Sequence, residues 1–180
     1  MEIWDIYDKD RVKTGKTMPR EEFVKNMRMA DGEYYLAVYV CVINSEGKML
    51  VQQRQPWKIG WPGFWDITAG GAAASGETSR EAAERELFEE MGIRADFSDA
   101  RPHLTVYGEN AFHDFYLLRR DVDADGLNVP NDEVAQAKWA TRDEIFAMMA
   151  RGSFVAVRPG IIDLCFDLLN LRGTLERDNW

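Results

Sequence analysis

The sequence predicts an α/β (α+β) chain in which a mixed sheet lies between helices, and three observations carry that prediction. Runs rich in β-branched and aromatic residues are interrupted at irregular intervals by segments with helical spacing, the pattern of strands and helices sharing one core. The chain has 180 residues, enough for one domain with a full core and too few to make two the default. Hydrophobic residues at 46% and charged residues at 29% are ordinary for a globular protein and exclude wholesale disorder. No internal repeat or low-complexity segment interrupts this picture.

Taken in order, EIWDIYDKDRVKTGKTMPREEF alternates around a polar centre at residues 8–10 and reads as a small hairpin or edge ribbon. Residues 34–44 form a β-branched and aromatic run suited to a buried strand, and the turn Ser45-Glu46-Gly47 leads to an alternating partner over 48–54. Residues 55–63 hold two prolines, two glycines and two tryptophans, a loop with aromatic content of the kind that often carries binding surface. A short strand over 64–68 then delivers Gly70 and Gly71 to an acidic helix at about 79–91. Strands are expected over 104–107 and 112–119, a polar loop over 121–132, and a strand over 135–140. A helix over 143–150 with Thr141 as N-cap and an amphipathic helix over 160–171 complete the chain, ahead of a frayed tail over 174–180. The domain boundaries that follow are a ribbon over 1–30, a core domain over 31–172 and a tail over 173–180.

The formal net charge of −9 argues against a nucleic-acid polymer as partner, because such binding relies on basic surface. It also means that an anionic substrate must be received by local cations. No run reaches the roughly 18 apolar residues of a membrane span, and no signal peptide is visible. Cys41 and Cys165 read as buried free thiols, which fits a reducing cytoplasm. Exposed aromatics near both termini suit a homodimer.

The most informative segment is GAAASGETSREAAERELFEEMGI, residues 71–93. Glu86, Glu89 and Glu90 are spaced i, i+3 and i+4, so a helix projects them from one face as a self-repelling cluster of negative charge. A hard divalent cation that takes oxygen ligands and bridges carboxylates to phosphate relieves that repulsion. Thr78 followed by Glu81 reads as a capping box at the helix start, and Gly92 can take the left-handed conformation that ends it. The plain alternative is a solvated acidic face. That face has no need of flanking glycines and an arginine at fixed offsets.

This segment matches without a gap the pattern G, five residues, E, seven residues, R-E-apolar-x-E-E-x-G-apolar, from Gly71 through Glu77, Arg85, Glu86, Leu87, Glu89, Glu90 and Gly92 to Ile93. It resembles the Nudix box, and the chain resembles the Nudix hydrolases. The resemblance implies an α/β/α sandwich and hydrolysis of a small-molecule diphosphate linked to another group, with Mg²⁺ or Mn²⁺ as cofactor. By that analogy Glu86, Glu89 and Glu90 hold the metal, the backbone carbonyl of Gly71 adds a ligand, and Glu86 and Glu89 are the catalytic carboxylates. Glu77 and Arg85 are implied as an ion pair that orients the helix.

Within that superfamily, QRQPWKIGWPGFWD resembles the stretch before the box in isopentenyl diphosphate isomerases, where an Arg and a Lys four residues apart meet a diphosphate. Arg54 and Lys58 are therefore candidate substrate cations, against the plain reading of ordinary surface charges. Glu133 lies where the family often has an acidic residue near the active site, as base, ligand or loop cap. Asn131 and Asp132 read by default as turn residues. Trp57, Trp61 and Trp65 can stack on a base, wall a pocket or pack the core. His103 and His113 read as surface or core histidines. Isomerase activity itself is an alternative that the sequence disfavours, because Gly70 stands where those enzymes have a cysteine and no histidine precedes residue 103. A sensor that binds without turnover is a third reading. Such proteins usually lose box carboxylates, and this chain has all three.

Overall fold

In a computed structural model that describes residues 2–169, the elements run β1 (Ile3–Tyr7), β2 (Lys13–Pro19), α1 (Arg20–Asn26), β3 (Tyr35–Ile43), β4 (Met49–Arg54), β5 (Trp65–Asp66), β6 (Ala69–Ala72) and α2 (Ser79–Met91). They continue with β7 (Leu104–Tyr107), β8 (Ala111–Arg119), a 3₁₀ turn (Ala124–Gly126), β9 (Val134–Ala140), α3 (Arg142–Ala150) and α4 (Pro159–Leu168). The fold is mixed α/β, as expected, and each expected strand and helix has a counterpart within a few residues. The expected tail lies outside the described residues. Two elements were not expected. α1 begins immediately after Pro19 with Glu21 and Glu22 in its first turn and buries none of its residues, so it has no apolar stripe to betray it. β6 has the sequence AGGA, which a strand uses only where another group comes close.

The chain groups into two units. The first comprises residues up to Val40, Gly70–Glu89 and Arg94–Tyr116. In it β1 and β2 pair antiparallel with Trp4 opposite Met18, and the turn between them is tied by the Asp8 carboxylate, which accepts from the backbone N–H groups of Asp10 and Val12 at 2.9 Å. Trp4, Ile6, Met18, Met29 and Ala72 form a buried cluster against which Phe23 and Tyr35 pack, and Trp4 stacks on Tyr35 with centroids 4.7 Å apart. The aromatics near the N-terminus, expected as exposed, are thus core residues: Trp4 and Tyr7 are both buried. Their apolar area stabilises the ribbon. In this unit β3 pairs with β6 and β8, and β7 pairs with β8 antiparallel from Leu104 opposite Phe115 to Tyr107 opposite Phe112.

The second unit comprises Cys41–Ala69, Glu90–Ile93 and the chain from Leu117 onward. Here β4 is antiparallel to β3, to β5 (Gln52 opposite Asp66) and to β9 (Leu50 opposite Trp139). The register between β4 and β9 slips between Gln53 and Arg54, so Arg54 faces Val134 at the end of the ladder. α3 starts with a full capping box, Thr141 and Glu144 each bonding the other's backbone N–H. Cys41 and Cys165 are free and buried, as read from the sequence, and a hydrogen bond to Cys165 together with burial pushes the Cys41 thiol up. Among the described residues no helix is long and apolar enough to cross a membrane.

Candidate functional site

Within the first unit, α2 is set up by the loop before it. Ser75 Oγ and the Gly76 N–H donate to the Asp5 carboxylate at 2.7 and 3.0 Å, and Gly76 has the positive φ of 92° that this turn needs. The expected capping box is present: the Thr78 N–H donates to Glu81 Oε2 at 2.8 Å, and the Glu81 N–H to Thr78 Oγ1 at 3.3 Å.

Arg85 then gathers the acids around it. Its Nε and Nη2 fork donates to both oxygens of Glu77 at 2.7 and 2.9 Å, the expected ion pair in bidentate form. The same guanidinium reaches further than the sequence indicated. Nη1 donates to Glu86 Oε1 at 2.7 Å and Glu89 Oε2 at 3.1 Å, and Nη2 to the Ala72 carbonyl at 3.1 Å. Burial pushes the Glu77 carboxyl up, but the fork and the Ala74 N–H outweigh it and leave the pKa below the usual range. Arg85 is held firmly charged by its bond to Glu77. Glu86, 9% exposed, is raised by burial, with Arg85 opposing and Glu89 adding to the rise. Glu89 is half exposed.

Gly71 lies directly against Glu86. A Cβ built on Gly71 would fall 2.5 Å from the Glu86 carboxyl carbon and closer still to Oε1, so only glycine leaves the carboxylate its place. Gly70 is equally constrained: a Cβ there would lie 2.8 Å from the Tyr39 ring and 2.9 Å from the Val38 carbonyl oxygen.

In the second unit Glu90 is 3% exposed and its Oε2 accepts from Gln52 Nε2 at 2.7 Å. Gln52 Oε1 is buried with no hydrogen-bond partner among the described residues, an unsatisfied acceptor beside a buried carboxylate. Asn131 is a turn residue, as the default reading held. Its Oδ1 accepts from the Glu133 and Val134 N–H groups at 2.9 and 2.8 Å, while its Nδ2 donates to the Glu90 carbonyl at 3.0 Å. Lys58 pairs with Glu133, so two of the candidate substrate residues meet each other. Arg54 donates from Nε to the Gly60 carbonyl at 2.9 Å and from Nη1 to Asp66 Oδ2 at 3.4 Å. Burial pushes the Asp66 carboxyl up to about 6, against the pull of Arg54, the Ile67 N–H and Lys58. Trp57 and Trp61 are exposed in this loop, whereas Trp65 is half-buried with the Lys138 ammonium 4.3 Å from its ring centroid.

Asp66 and Gln52 are the residues that sequence reasoning passed over. Gln52 left one signal, a polar residue inside the apolar run MLVQQR. Asp66 left none, since an acid beside a tryptophan in a short strand is unremarkable in a linear chain.

Among the described residues no group of three or more His, Cys, Asp or Glu side chains stands close enough to hold a metal ion. Taken unit by unit, the chemistry of the residues nonetheless suits a hard divalent cation. The candidate donors are all oxygens, Glu86 carries a raised pKa that a cation would reverse, the Gly71 backbone is open to that carboxylate, and Gln52 Oε1 lacks a partner beside Glu90. Glu86, Glu89 and Glu90 share one helix at i, i+3 and i+4.

Comparison with known proteins adds an independent line. A family profile, the NUDIX domain, matches residues 33–161. The chain is 41% identical over 155 residues to an uncharacterised Nudix hydrolase of Listeria monocytogenes, covering 86% of this chain and 89% of that one. It is 31% identical over 157 residues to Nudix hydrolase 3 of Arabidopsis thaliana, covering 79% of this chain and 20% of that one. Among solved structures, a Deinococcus radiodurans protein superposes with a TM-score of 0.72 at 24% identity, covering 91% and 99% of the two chains. That likeness shows the fold.

Proposed function

The chain belongs to the Nudix hydrolase family, and from that premise we propose that it is a divalent-metal-dependent hydrolase of a diphosphate linked to another group. The observation that carries the proposal is the Glu86 carboxylate seated on Gly71 and gripped by Arg85, because it places an oxygen donor, an open backbone and an orienting cation together. Glu86, Glu89, Glu90 and the Gly71 carbonyl would hold Mg²⁺ or Mn²⁺, which when bound neutralises charge on phosphate oxygens and makes water acidic enough to act as nucleophile. Arg85 fixes the direction of Glu86 and Glu89, and Glu77 fixes Arg85. Glu86 and Glu89 are the groups proposed to accept the proton of the attacking water.

Arg54 and Lys58 are proposed to receive the diphosphate, exchanging Asp66 and Glu133 for phosphate oxygens. Guanidinium and ammonium groups bind phosphate at least as well as carboxylate. The free buried thiols of Cys41 and Cys165 favour a reducing compartment, the cytoplasm. Isomerase chemistry is disfavoured by Gly70. A cysteine Cβ at that position would press on backbone and ring, so the proton-moving side chain has neither a residue nor the space for one.

The test is Glu86→Gln and Glu90→Gln, assayed for phosphate release from a panel of nucleoside and other diphosphate compounds with Mg²⁺ and Mn²⁺. Turnover is expected to fall by about a hundredfold or more in each while circular dichroism is unchanged. Undiminished activity in both removes the assignment.

A further inference from the structure

A second, separate feature of the first unit is a cavity of about 520 Å³ beside the start of α2. Three guanidinium groups line it, Arg11, Arg80 and Arg101, together with Ser79, Thr105 and Tyr116. The single acid in its wall, Asp114, is fully buried and already covered on every side. Both Nη groups of Arg11 donate to it, as do Ser79 Oγ at 2.5 Å and Thr105 Oγ1 at 2.7 Å. Asp114 therefore holds Arg11 in place and offers little further negative charge to a newcomer. Arg80 spends one Nη on the Ser98 carbonyl and keeps its other N–H groups. Arg101 is exposed and has no acidic partner among the described residues.

Three arginines against one acid leave the cavity with an excess of two positive charges in a chain whose net charge is −9. The positive end of the α2 dipole adds to the same potential. An acidic protein that concentrates three arginines on one cavity has built a place for an anion, and the two guanidinium groups not committed to Asp114, those of Arg80 and Arg101, suit phosphate oxygens.

We propose that this cavity binds a phosphate-bearing small molecule, through Arg80 and Arg101 as direct contacts and Arg11 as the fixed floor. The site is distinct from the acidic half of α2, and its occupancy needs no divalent metal.

Inorganic pyrophosphate titrated calorimetrically into Arg54→Ala/Lys58→Ala protein kept in EDTA, the background for every variant in the binding assay, tests this directly, because without metal the carboxylates of α2 repel that probe and the two cations proposed for the substrate diphosphate are gone. Binding is expected in this parent, retained in Arg101→Lys, and weakened by about tenfold or more in Arg101→Glu and in Arg80→Ala. Glu90→Gln, which alters only the acidic site, should bind as the parent does. Equal affinity in the parent and Arg101→Glu, no binding at all, or loss of binding in Glu90→Gln overturns the proposal. The ligand's source is read from hydrolysis by the same substitutions in the wild-type chain. A raised KM in Arg101→Glu assigns the cavity to a distal phosphate of the substrate itself, and an unchanged KM assigns it to a free phosphorylated effector. Because the binding arm is independent of turnover, failure of the hydrolase reading would leave it intact.

Discussion

Gly71 has no side chain because the Glu86 carboxylate occupies the space one would take. Replacing it with alanine would force the flexible end of Glu86 aside and leave the backbone free to stay where it is, so the cost should fall on activity and spare the fold. Gly71→Ala is expected to lower metal-dependent turnover by about ten- to a hundredfold with only a small change in melting temperature. A matched loss of both would reassign the residue to structure. The three carboxylates were legible from spacing along one helix, and Glu77 with Arg85 only from the resemblance to the Nudix box. The extension of Arg85 to Glu86 and Glu89, the Gln52 bond to Glu90 and the Asp66 bond to Arg54 were not. The last two join positions 38 and 12 residues apart and depend on strand register, which no local pattern encodes.

The elements differ in how far they announce themselves. α2 was readable to the residue because its start and stop are chemical: the Thr78–Glu81 box at one end and Gly92 with φ of 72° at the other. Thr78→Ala removes the hydroxyl that caps the Glu81 N–H and is expected to lower stability by about 1 kcal/mol, measured by urea denaturation. A loss within error would show that the Asp5 tie to Gly76 suffices to hold the helix start. α1 and β6 escaped notice for opposite reasons. α1 has helix formers without a buried face, and β6 is buried at both its ends without strand formers. The ribbon of β1 and β2 was legible as a hairpin, but the burial of Trp4 against Tyr35 was not, since alternation says which residues share a face and says nothing of what covers it.

For the molecule as a whole, two carboxylates make stability depend on acidity in opposite directions. Asp66 rises from 3.8 to about 6 on folding, so between those values the folded chain keeps a proton that the unfolded chain has released. Stability accordingly falls as pH rises through that window and is flat above it. Asp5 is pushed up by burial, yet the Gly76 N–H, Lys13 and Ser75 bring it down to about 2. Its contribution is full above about pH 4 and is lost as pH falls toward 2. Asp66→Asn should abolish the decline between pH 4 and 6, and its advantage over wild type by denaturation should grow across that range by roughly 3 kcal/mol. An advantage independent of pH would mean that Asp66 is ionised throughout.

Arg85 divides one positive charge among Glu77, Glu86 and Glu89. Newly synthesised polypeptide can therefore fold its most acidic turn with a counterion of its own, and purification through a chelating buffer leaves that counterion in place. The charge balance of that turn is thus built into the chain and does not wait on the contents of the surrounding solution.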